Sequence, residues 1–198
     1  MNKMVTVKEK YEWLAKAKRE YGIAFWQGAL KVYPFINALP YKSLLDVGTG
    51  GGKYLDHLGS QYETIYGVDW AVEPRVKREN FHFFKTDAWE IPLPDKSVDI
   101  TTSFDFIEHI EPDRLEDIFK EMCRVTKYMM IHKINSCNSS AKRDVLETQF
   151  GAGEGELHLS IHDNKWWNTF LKDYCQSTFL PICEFPCQRK QVFFGLVM

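Results

Sequence analysis

Apolar residues from position 43 onward recur in short runs that are separated by segments with helical spacing. The runs at residues 43–47, 64–68, 81–84, 98–103 and 128–134 predict five strands. Two further strands are predicted near residues 178–183 and 191–197. This alternation predicts an α/β fold with a Rossmann-like doubly wound sheet of about seven strands, mostly parallel with an antiparallel last strand, and helices on both faces.

Several helices can be placed by their apolar faces and end signals. Thr6 and Glu9 have the spacing of a capping box, which predicts a first helix. A second helix is predicted over residues 23–32 and should end before Pro34, because the residue preceding a proline avoids the α region. Asp163 is a candidate N-cap for a C-terminal helix. A central amphipathic helix is predicted from four residues at i, i+3, i+4 and i+7: Leu115, Ile118, Phe119 and Met122.

The length of 198 residues predicts a single domain. Within it we expect an N-terminal helical extension (1–42), a core (43–134), a loop insertion (135–162) and a C-terminal helix with the last strands (163–198). The extension is rich in aromatic residues, which fits either packing onto the sheet or a lid over a ligand site. The irregular, glycine-bearing stretch of residues 135–161 is long for a compact domain, and such loops are usually functional or disordered.

Composition and charge narrow the classes of function. Lys and Arg number 25 against 27 Asp and Glu, so the net charge is −2 and no nucleic-acid partner is expected. The most apolar stretch, residues 21–41, is interrupted by polar residues and prolines, and no signal peptide is visible. We therefore expect no membrane insertion. The five cysteines are odd in number and form no C-x-x-C pair, which predicts a reduced, cytoplasmic protein.

A glycine-rich loop, residues 48–52, follows the first strand and predicts a ligand site at the carboxyl end of the sheet. Asp69 lies nineteen residues after Gly50, a spacing that suits a carboxylate binding ribose hydroxyls. The dinucleotide fingerprint G-x-G-x-x-G breaks at Lys53, which makes an NAD-dependent reductase the weaker alternative. A carboxylate at Asp46 would repel a pyrophosphate but would suit an ammonium group, as in the amino acid portion of S-adenosylmethionine.

These segments resemble the ordered motifs of class I S-adenosylmethionine-dependent methyltransferases. Residues 46–52 (Asp-Val-Gly-Thr-Gly-Gly-Gly) are similar to their first motif, and residues 66–69 (Tyr-Gly-Val-Asp) to their second. Residues 86–99 resemble the third motif and its lead into the fourth strand. Residues 103–110 (Ser-Phe-Asp-Phe-Ile-Glu-His-Ile) are similar to a segment of the subgroup that includes ubiquinone- and menaquinone-biosynthesis methyltransferases.

The resemblance implies that S-adenosyl-L-methionine is the cofactor. Asp46, Gly48 and Gly50 would hold its methionine part, and Asp69 would bind the ribose hydroxyls.

Adenine and the sulfonium would be held by residues farther along the sheet. The resemblance implies that Trp70 stacks on adenine and that Asp87 and Ala88 contact its amino edge. Ser103 or Phe104 would line the sulfonium end. Alternatively, Trp70 packs on a neighbouring helix and Asp87 is an N-cap.

The methyl acceptor is not encoded in a motif, and the sequence leaves O-, C- and N-methylation open. A small organic acceptor is expected, in a pocket between the N-terminal helices and residues 135–161, over the ends of the fourth and fifth strands. His109 and His158 are the candidate bases, because a base is needed when the nucleophile must lose a proton. The main alternative from another class is a non-catalytic methyltransferase-like partner protein.

A metal is not predicted from the sequence. His158 and His162 are four residues apart, which permits a pair of metal ligands, but spacing places no third ligand nearby. Nothing in the sequence indicates the oligomeric state.

Overall fold

The computed structural model describes residues 5–17, 25–135, 143–180 and 190–197. Seven strands within these ranges form one sheet. In chain order they are β1 (Ser43–Val47), β2 (Thr64–Asp69), β3 (Phe81–Lys85), β4 (Val98–Phe104), β5 (Thr126–Asn135), β6 (Cys175–Leu180) and β7 (Lys190–Val197).

The spatial order of the sheet is β3-β2-β1-β4-β5-β7-β6. Strands β1 to β5 pair in parallel, whereas β7 runs antiparallel to both β5 and β6. The predicted doubly wound, mostly parallel sheet with an antiparallel last strand is therefore confirmed. Because β2 and β4 flank β1 on opposite sides, the topological switch point lies at the carboxyl ends of β1 and β4, where open α/β sheets bind ligands.

Five α-helices accompany the described strands: α1 (Val7–Lys16), α2 (Phe25–Ala38), α3 (Leu115–Val125), α4 (Arg143–Phe150) and α5 (Asn164–Leu171). The predicted capping box is confirmed, since the Thr6 hydroxyl accepts the Glu9 N–H at 3.2 Å and the Glu9 carboxylate accepts the Thr6 N–H at 2.8 Å. Asp163 caps α5 by accepting the Trp166 N–H at 2.8 Å.

The prediction that the second helix ends before Pro34 is wrong. Pro34 lies inside α2, which continues to Ala38. Val32 and Ile36 on either side of the proline are both buried against the sheet. Burial of this face outweighs the backbone hydrogen bond that proline removes, because tertiary packing supplies most of the stability of a helix in a protein.

Two other predicted segments differ from the structure. The stretch of residues 135–161 is not wholly irregular, since it contains α4. Strand β6 begins at Cys175, three residues before the predicted start, and residues 181–183 of that prediction lie outside the described residues.

Two apolar clusters lie on opposite faces of the sheet. Leu44 belongs to the cluster that includes Val32 and Ile36 of α2. Its neighbour Leu45 belongs to the cluster formed with α3 and α5. Successive strand residues point to opposite faces, so helices cover the sheet on both sides, as predicted.

Helix α1 packs against α4 and the segment that follows it. Leu14 is fully buried with Leu146 and Leu157. The Lys10 ammonium pairs with the Glu154 carboxylate at 2.8 Å and donates to the Glu156 carbonyl at 3.2 Å. The first helix is thereby fixed to the residues that lead into the predicted acceptor region.

None of the helices in the described ranges has the length and apolar run that crossing a bilayer requires. Cys123 and Cys175 are free thiols. Cys137, Cys183 and Cys187 lie outside the described residues.

Candidate functional site

The glycine loop after β1 is shaped by residues with positive φ. Gly48 has φ +75° and lies against the ring of Phe106, which a side chain at this position would overlap. Gly50 has φ +51°, and a Cβ atom there would have no neighbour within 4 Å. Phe106 therefore fills the space beside Gly48, whereas no protein atom fills the space beside Gly50. A ligand has room to approach the backbone there.

The loop leads into a single 3₁₀ turn, Leu55–His57, and no α-helix lies between β1 and β2. Three residues present too little aligned backbone to act as a helix N-terminus. Ligand binding at this loop must therefore depend on individual side chains and backbone amides.

Asp69 at the end of β2 ties the loop to the sheet. Its Oδ2 accepts the Gly50 N–H at 2.8 Å, and its Oδ1 accepts the N–H groups of Ala71 and Val72 at 2.9 Å. Burial raises the pKa of Asp69, while these backbone hydrogen bonds oppose the rise. A carboxylate has about four acceptor positions, so Asp69 keeps capacity for a ligand hydroxyl besides holding the loop.

Asp46 lies at the centre of a buried hydrogen-bonding group. Its Oδ1 accepts the Tyr54 hydroxyl at 2.6 Å and the Thr102 hydroxyl at 2.8 Å. Burial raises the pKa of Asp46 to about 7, and the charge of Asp69 adds to the rise. A carboxylate with this pKa would be stabilised in its charged form by a nearby ammonium group.

The predicted adenine residues lie beneath α1. The Lys8 ammonium is 4.9 Å from the centre of the Trp70 ring and 3.6 Å from Asp87 Oδ1. This Asp87 oxygen is buried and accepts no hydrogen bond from a described residue. Lys8 thus lies close to both Trp70 and Asp87. Because Lys8 belongs to α1, this helix lies at the edge of the predicted cofactor site.

The remaining predicted cofactor residues, Ala88, Phe104 and Ser103, lie in different surroundings. Ala88 is buried in the core, so only its backbone could touch adenine. Phe104 packs edge-on against Tyr54 with ring centres 5.2 Å apart, and so it borders the Asp46 group. Ser103 instead bonds His132 Nδ1 at 2.8 Å inside the core. Of the two candidates for the sulfonium end, the geometry favours Phe104.

A second cluster of polar side chains lies just after β4, in the 3₁₀ turn Ile107–His109. The turn follows Phe106, which packs on the glycine loop, and the His109 N–H donates to the Phe106 carbonyl at 3.0 Å. Glu108, His109 and His158 each offer a ligand atom, and these atoms lie within 4.8 Å of one another. The rings of His109 and His158 meet edge to face at 4.6 Å.

His109 is held by groups from two distant segments. Its Nδ1 lies 2.9 Å from the Tyr11 hydroxyl of α1 and 2.9 Å from the Leu157 carbonyl. Burial and the neighbouring His158 lower the pKa of His109 to about 3. Because a base with so low a pKa accepts a proton poorly near neutral pH, this environment disfavours His109 as a general base.

Glu108 is the most deeply buried member of the cluster. Its side chain has no exposed surface, and neither carboxylate oxygen has a described hydrogen-bonding partner at standard geometry. Burial, followed by the charge of Asp105, raises the pKa of Glu108 to about 8, and its own backbone, the Lys133 charge and the Asn135 backbone oppose the rise. The Lys133 ammonium is paired with Asp105.

His162 does not join this cluster. It stacks on Trp166 at 3.6 Å and meets Trp167 edge to face, so it belongs to the start of α5. The pair of ligands that the spacing of His158 and His162 would permit does not form, and His158 is grouped with His109 instead.

Sequence reasoning missed Glu108, Tyr54, Lys8 and Tyr11 as members of the site. A signal existed for Glu108, since a carboxylate between the apolar residues Ile107 and Ile110 is placed for burial. No signal existed for Lys8 and Tyr11, because their contacts join segments about 60 to 100 residues apart, such as the Tyr11–His109 pair separated by 98 positions.

Comparison with known proteins shows similarity to methyltransferases. Residues 45–128 match the sequence profile of a family described as "Methyltransferase domain". A comparison with curated proteins finds no match to the chain.

Solved structures share the fold at low sequence identity. One is a chain from the complex between the Haloferax volcanii Trm112 methyltransferase activator and a protein described as a methyltransferase, with TM-score 0.69, 14% identity and coverage of 95% of this chain and 97% of that chain. The complex of DhpI with SAH (S-adenosylhomocysteine) matches with TM-score 0.70, 12% identity and coverage of 94% and 93%. The methyltransferase domain of bacterial CtHen1 matches with TM-score 0.62, 20% identity and coverage of 87% and 98%.

The chain therefore has the fold of class I methyltransferases, and the matched profile covers the strands that carry the glycine loop, Asp69 and Asp87. The subgroup of ubiquinone- and menaquinone-biosynthesis enzymes stays a prediction.

Proposed function

We propose that the protein binds S-adenosylmethionine at the carboxyl ends of β1 and β2 and transfers its methyl group to a small organic acceptor. The observation that carries the proposal is the loop at Gly50. It is open to a ligand, it is anchored by Asp69, and it lies in a methyltransferase fold.

The residues present fit this cofactor. The open position above Gly50 is space that a side chain would fill, and a ligand can occupy it. Asp46 offers a carboxylate for an ammonium group, and its pKa is raised by burial and by the charge of Asp69, which a bound ammonium group would offset. Asp87 has a buried oxygen that accepts no hydrogen bond from a described residue, as an acceptor for the adenine amino group would. When bound, S-adenosylmethionine supplies a methyl group activated by its sulfonium.

The chain contributes to the reaction chiefly by positioning and by excluding water. Asp69 would orient the ribose and Trp70 the adenine, and Phe104 would line the sulfonium end without competing as a nucleophile. Fixing donor and acceptor in line accounts for much of the rate in a displacement of this kind. For an acceptor that loses a proton in the absence of a metal ion, His158 is the better candidate base, because the pKa of His109 is about 3.

The acceptor is proposed to enter between α1 and the segment of residues 151–162. Lys8 and Tyr11, three residues apart on α1, reach the predicted adenine residues and the histidine cluster respectively. Residues at this spacing share a helix face, so α1 spans both halves of the site. The odd number of cysteines and the lack of a C-x-x-C pair support the proposal of a reducing, cytoplasmic location.

A non-catalytic partner protein is the second candidate. The structural similarity to a chain from the Trm112 activator complex favours it, because methyltransferase folds also occur in assemblies with other proteins. This candidate predicts a folded glycine loop that binds no cofactor.

The activity is tested by incubating the protein with methyl-labelled S-adenosylmethionine and a panel of phenols, quinol precursors and small carboxylates. At a limiting concentration of S-adenosylmethionine, label is expected in at least one acceptor with wild type and at a rate about tenfold lower with Gly50→Ala. Label transfer that is equal in both proteins would arise from a contaminant and would contradict the proposal.

A further inference from the structure

The Glu108–His109–His158 cluster has the composition of a metal centre. Two imidazoles and one carboxylate form a donor set that binds Zn²⁺ and other divalent transition ions and leaves coordination positions open. The three ligand atoms lie within 4.8 Å of one another. Ligands about 2.0–2.2 Å from a tetrahedral ion are about 3.3–3.6 Å apart, so binding requires side-chain rotations that bring the atoms closer by up to about 1.5 Å.

The charges around Glu108 favour a cation. Asp105 and Glu108 bring two carboxylates to the end of β4, and Lys133, paired with Asp105, brings one ammonium. If both carboxylates are ionised, one buried negative charge is left without compensation. Burying such a charge is strongly unfavourable unless a proton or a cation neutralises it. Neither oxygen of Glu108 accepts a hydrogen bond of standard geometry from a described residue, which leaves acceptor capacity for a metal ion.

One contact of His109 is typical of a metal ligand. Its Nδ1 faces the Leu157 carbonyl at 2.9 Å. Metal-ligating histidines usually donate the N–H of one ring nitrogen to a carbonyl or carboxylate and coordinate through the other. Tyr11, at 2.9 Å from the same nitrogen, further restricts the ring.

We propose that Glu108, His109 and His158 bind one divalent transition-metal ion, such as Zn²⁺ or Mn²⁺, beside the glycine loop. The nitrogen ligands favour such ions over Mg²⁺ and Ca²⁺, which prefer oxygen. The cluster lies near the predicted cofactor site, since α1 contacts both His109 and Trp70.

The ion's role in catalysis rests on the proposed function, whereas its binding does not. A hydroxyl group of the acceptor would bind the ion, which lowers the pKa of the hydroxyl so that its proton is lost to water. The acceptor oxygen then forms a bond to the transferred methyl carbon, and the methyl–sulfur bond breaks with its electron pair left on sulfur. The site thereby favours an oxygen acceptor.

Metal binding is tested by calorimetric titration of the chelator-treated full chain with Zn²⁺, Mn²⁺ and Mg²⁺, without cofactor. One equivalent of Zn²⁺ or Mn²⁺ is expected per chain, with much weaker binding of Mg²⁺. Glu108→Gln and His158→Gln should each weaken the affinity by about 100-fold, because even outer-shell changes cost about 10- to 100-fold. His82→Gln, a change at an exposed histidine of β3, is the matched control and should bind as wild type does.

Thermal unfolding of the same proteins separates a lost ligand from a lost fold. Glu108→Gln removes a buried carboxylate without a described partner, so the metal-free variant should melt at or above the wild-type temperature. Added Zn²⁺ should raise the wild-type melting temperature and leave that of Glu108→Gln unchanged. Unaltered metal affinity in Glu108→Gln, or no stoichiometric binding by wild type, would overturn the proposal. Binding of S-adenosylhomocysteine, measured without metal, would still test the proposed function on its own.

Discussion

The Lys8 ammonium lies 3.6 Å from Asp87 Oδ1, which joins the first helix to the end of the third strand. The same ammonium lies over the ring of Trp70. Lys8 therefore contacts both side chains that we assign to adenine, and a bound adenine must share or replace these contacts.

Removing the Lys8 charge should strengthen cofactor binding. A partly exposed ion pair contributes up to about 1 kcal/mol, and an exposed cation–π contact about 0.5–1 kcal/mol. Lys8→Met keeps the stem of the side chain and should tighten S-adenosylhomocysteine by about two- to tenfold in calorimetry. Lys16→Met, an exposed change in the last turn of α1, is the control and should have no effect. Weaker binding by Lys8→Met would mean that Lys8 contacts the ligand directly.

The openness of the loop at Gly50 gives a second prediction. A methyl group at this position meets no protein atom within 4 Å, so Gly50→Ala should fold and should lose at least about tenfold in affinity for S-adenosylhomocysteine by blocking the ligand. Gly153→Ala controls for backbone strain, because Gly153 also has positive φ and open surroundings. Both variants should melt within a few degrees of each other. Equal ligand affinity in the two variants would show that the ligand does not contact the loop at Gly50.

The pKa of Asp46 predicts a pH-dependent affinity. The ammonium group of the ligand prefers ionised Asp46, and this carboxyl is increasingly protonated as the pH falls below about 7. The affinity for S-adenosylhomocysteine should therefore weaken by about tenfold for each pH unit below 7. Asp46→Asn should bind weakly at every pH, with a flat profile between pH 5.5 and about 8. A sloping profile retained in Asp46→Asn would assign the titration to another group.

The same carboxyl predicts the pH dependence of stability. Its pKa is about 7 in the folded protein, against 3.8 for an aspartate in water, so the unfolded chain releases the proton first as the pH rises. Folding stability should fall between about pH 4 and pH 7, by on the order of 2–4 kcal/mol from this group. Without ligand at pH 8, Asp46→Asn should be more resistant to urea than wild type, and reduced resistance would contradict the assignment.

The packing of α1 against α4 and the segment after it is tested by replacing the buried residue Leu14. Leu14→Ala should destabilise the protein by about 2–5 kcal/mol, since Leu14 is fully buried against Leu146 and Leu157. Leu196→Ala, a change of the same size at a largely exposed position, should alter stability by only about 0.5 kcal/mol. Urea unfolding curves give both values, and equal losses would mean that α1 is not part of the cooperative fold.

The sheet could be predicted from the sequence because each strand carries its own local signal. Apolar runs placed β1 to β5 to within about two residues, and the capping residues Thr6 and Asp163 placed two helix starts. The interior position of Pro34 could not be predicted, because it depends on the burial of Val32 and Ile36 against a sheet that forms later in the chain.

The candidate site was predictable only where residues follow strand ends in a known order. Asp46, Gly50 and Asp69 meet for this reason, since β1 and β2 are neighbouring parallel strands. The proximity of His158 to Glu108 and His109 was not predictable from the sequence, because it depends on where the segment after α4 packs against the end of β4. The fold sets this packing through the Leu159 and Ser160 N–H groups, which donate to the Glu108 carbonyl at 2.7 and 3.1 Å.

Side-by-side calorimetric titration with S-adenosylhomocysteine and NAD tests the central claim most directly. The account predicts binding of one S-adenosylhomocysteine per chain and no binding of NAD, because the loop breaks the dinucleotide fingerprint at Lys53 and presents Asp46 where a pyrophosphate would lie. Binding of NAD in preference to S-adenosylhomocysteine, or binding of neither ligand by the folded protein, would contradict it.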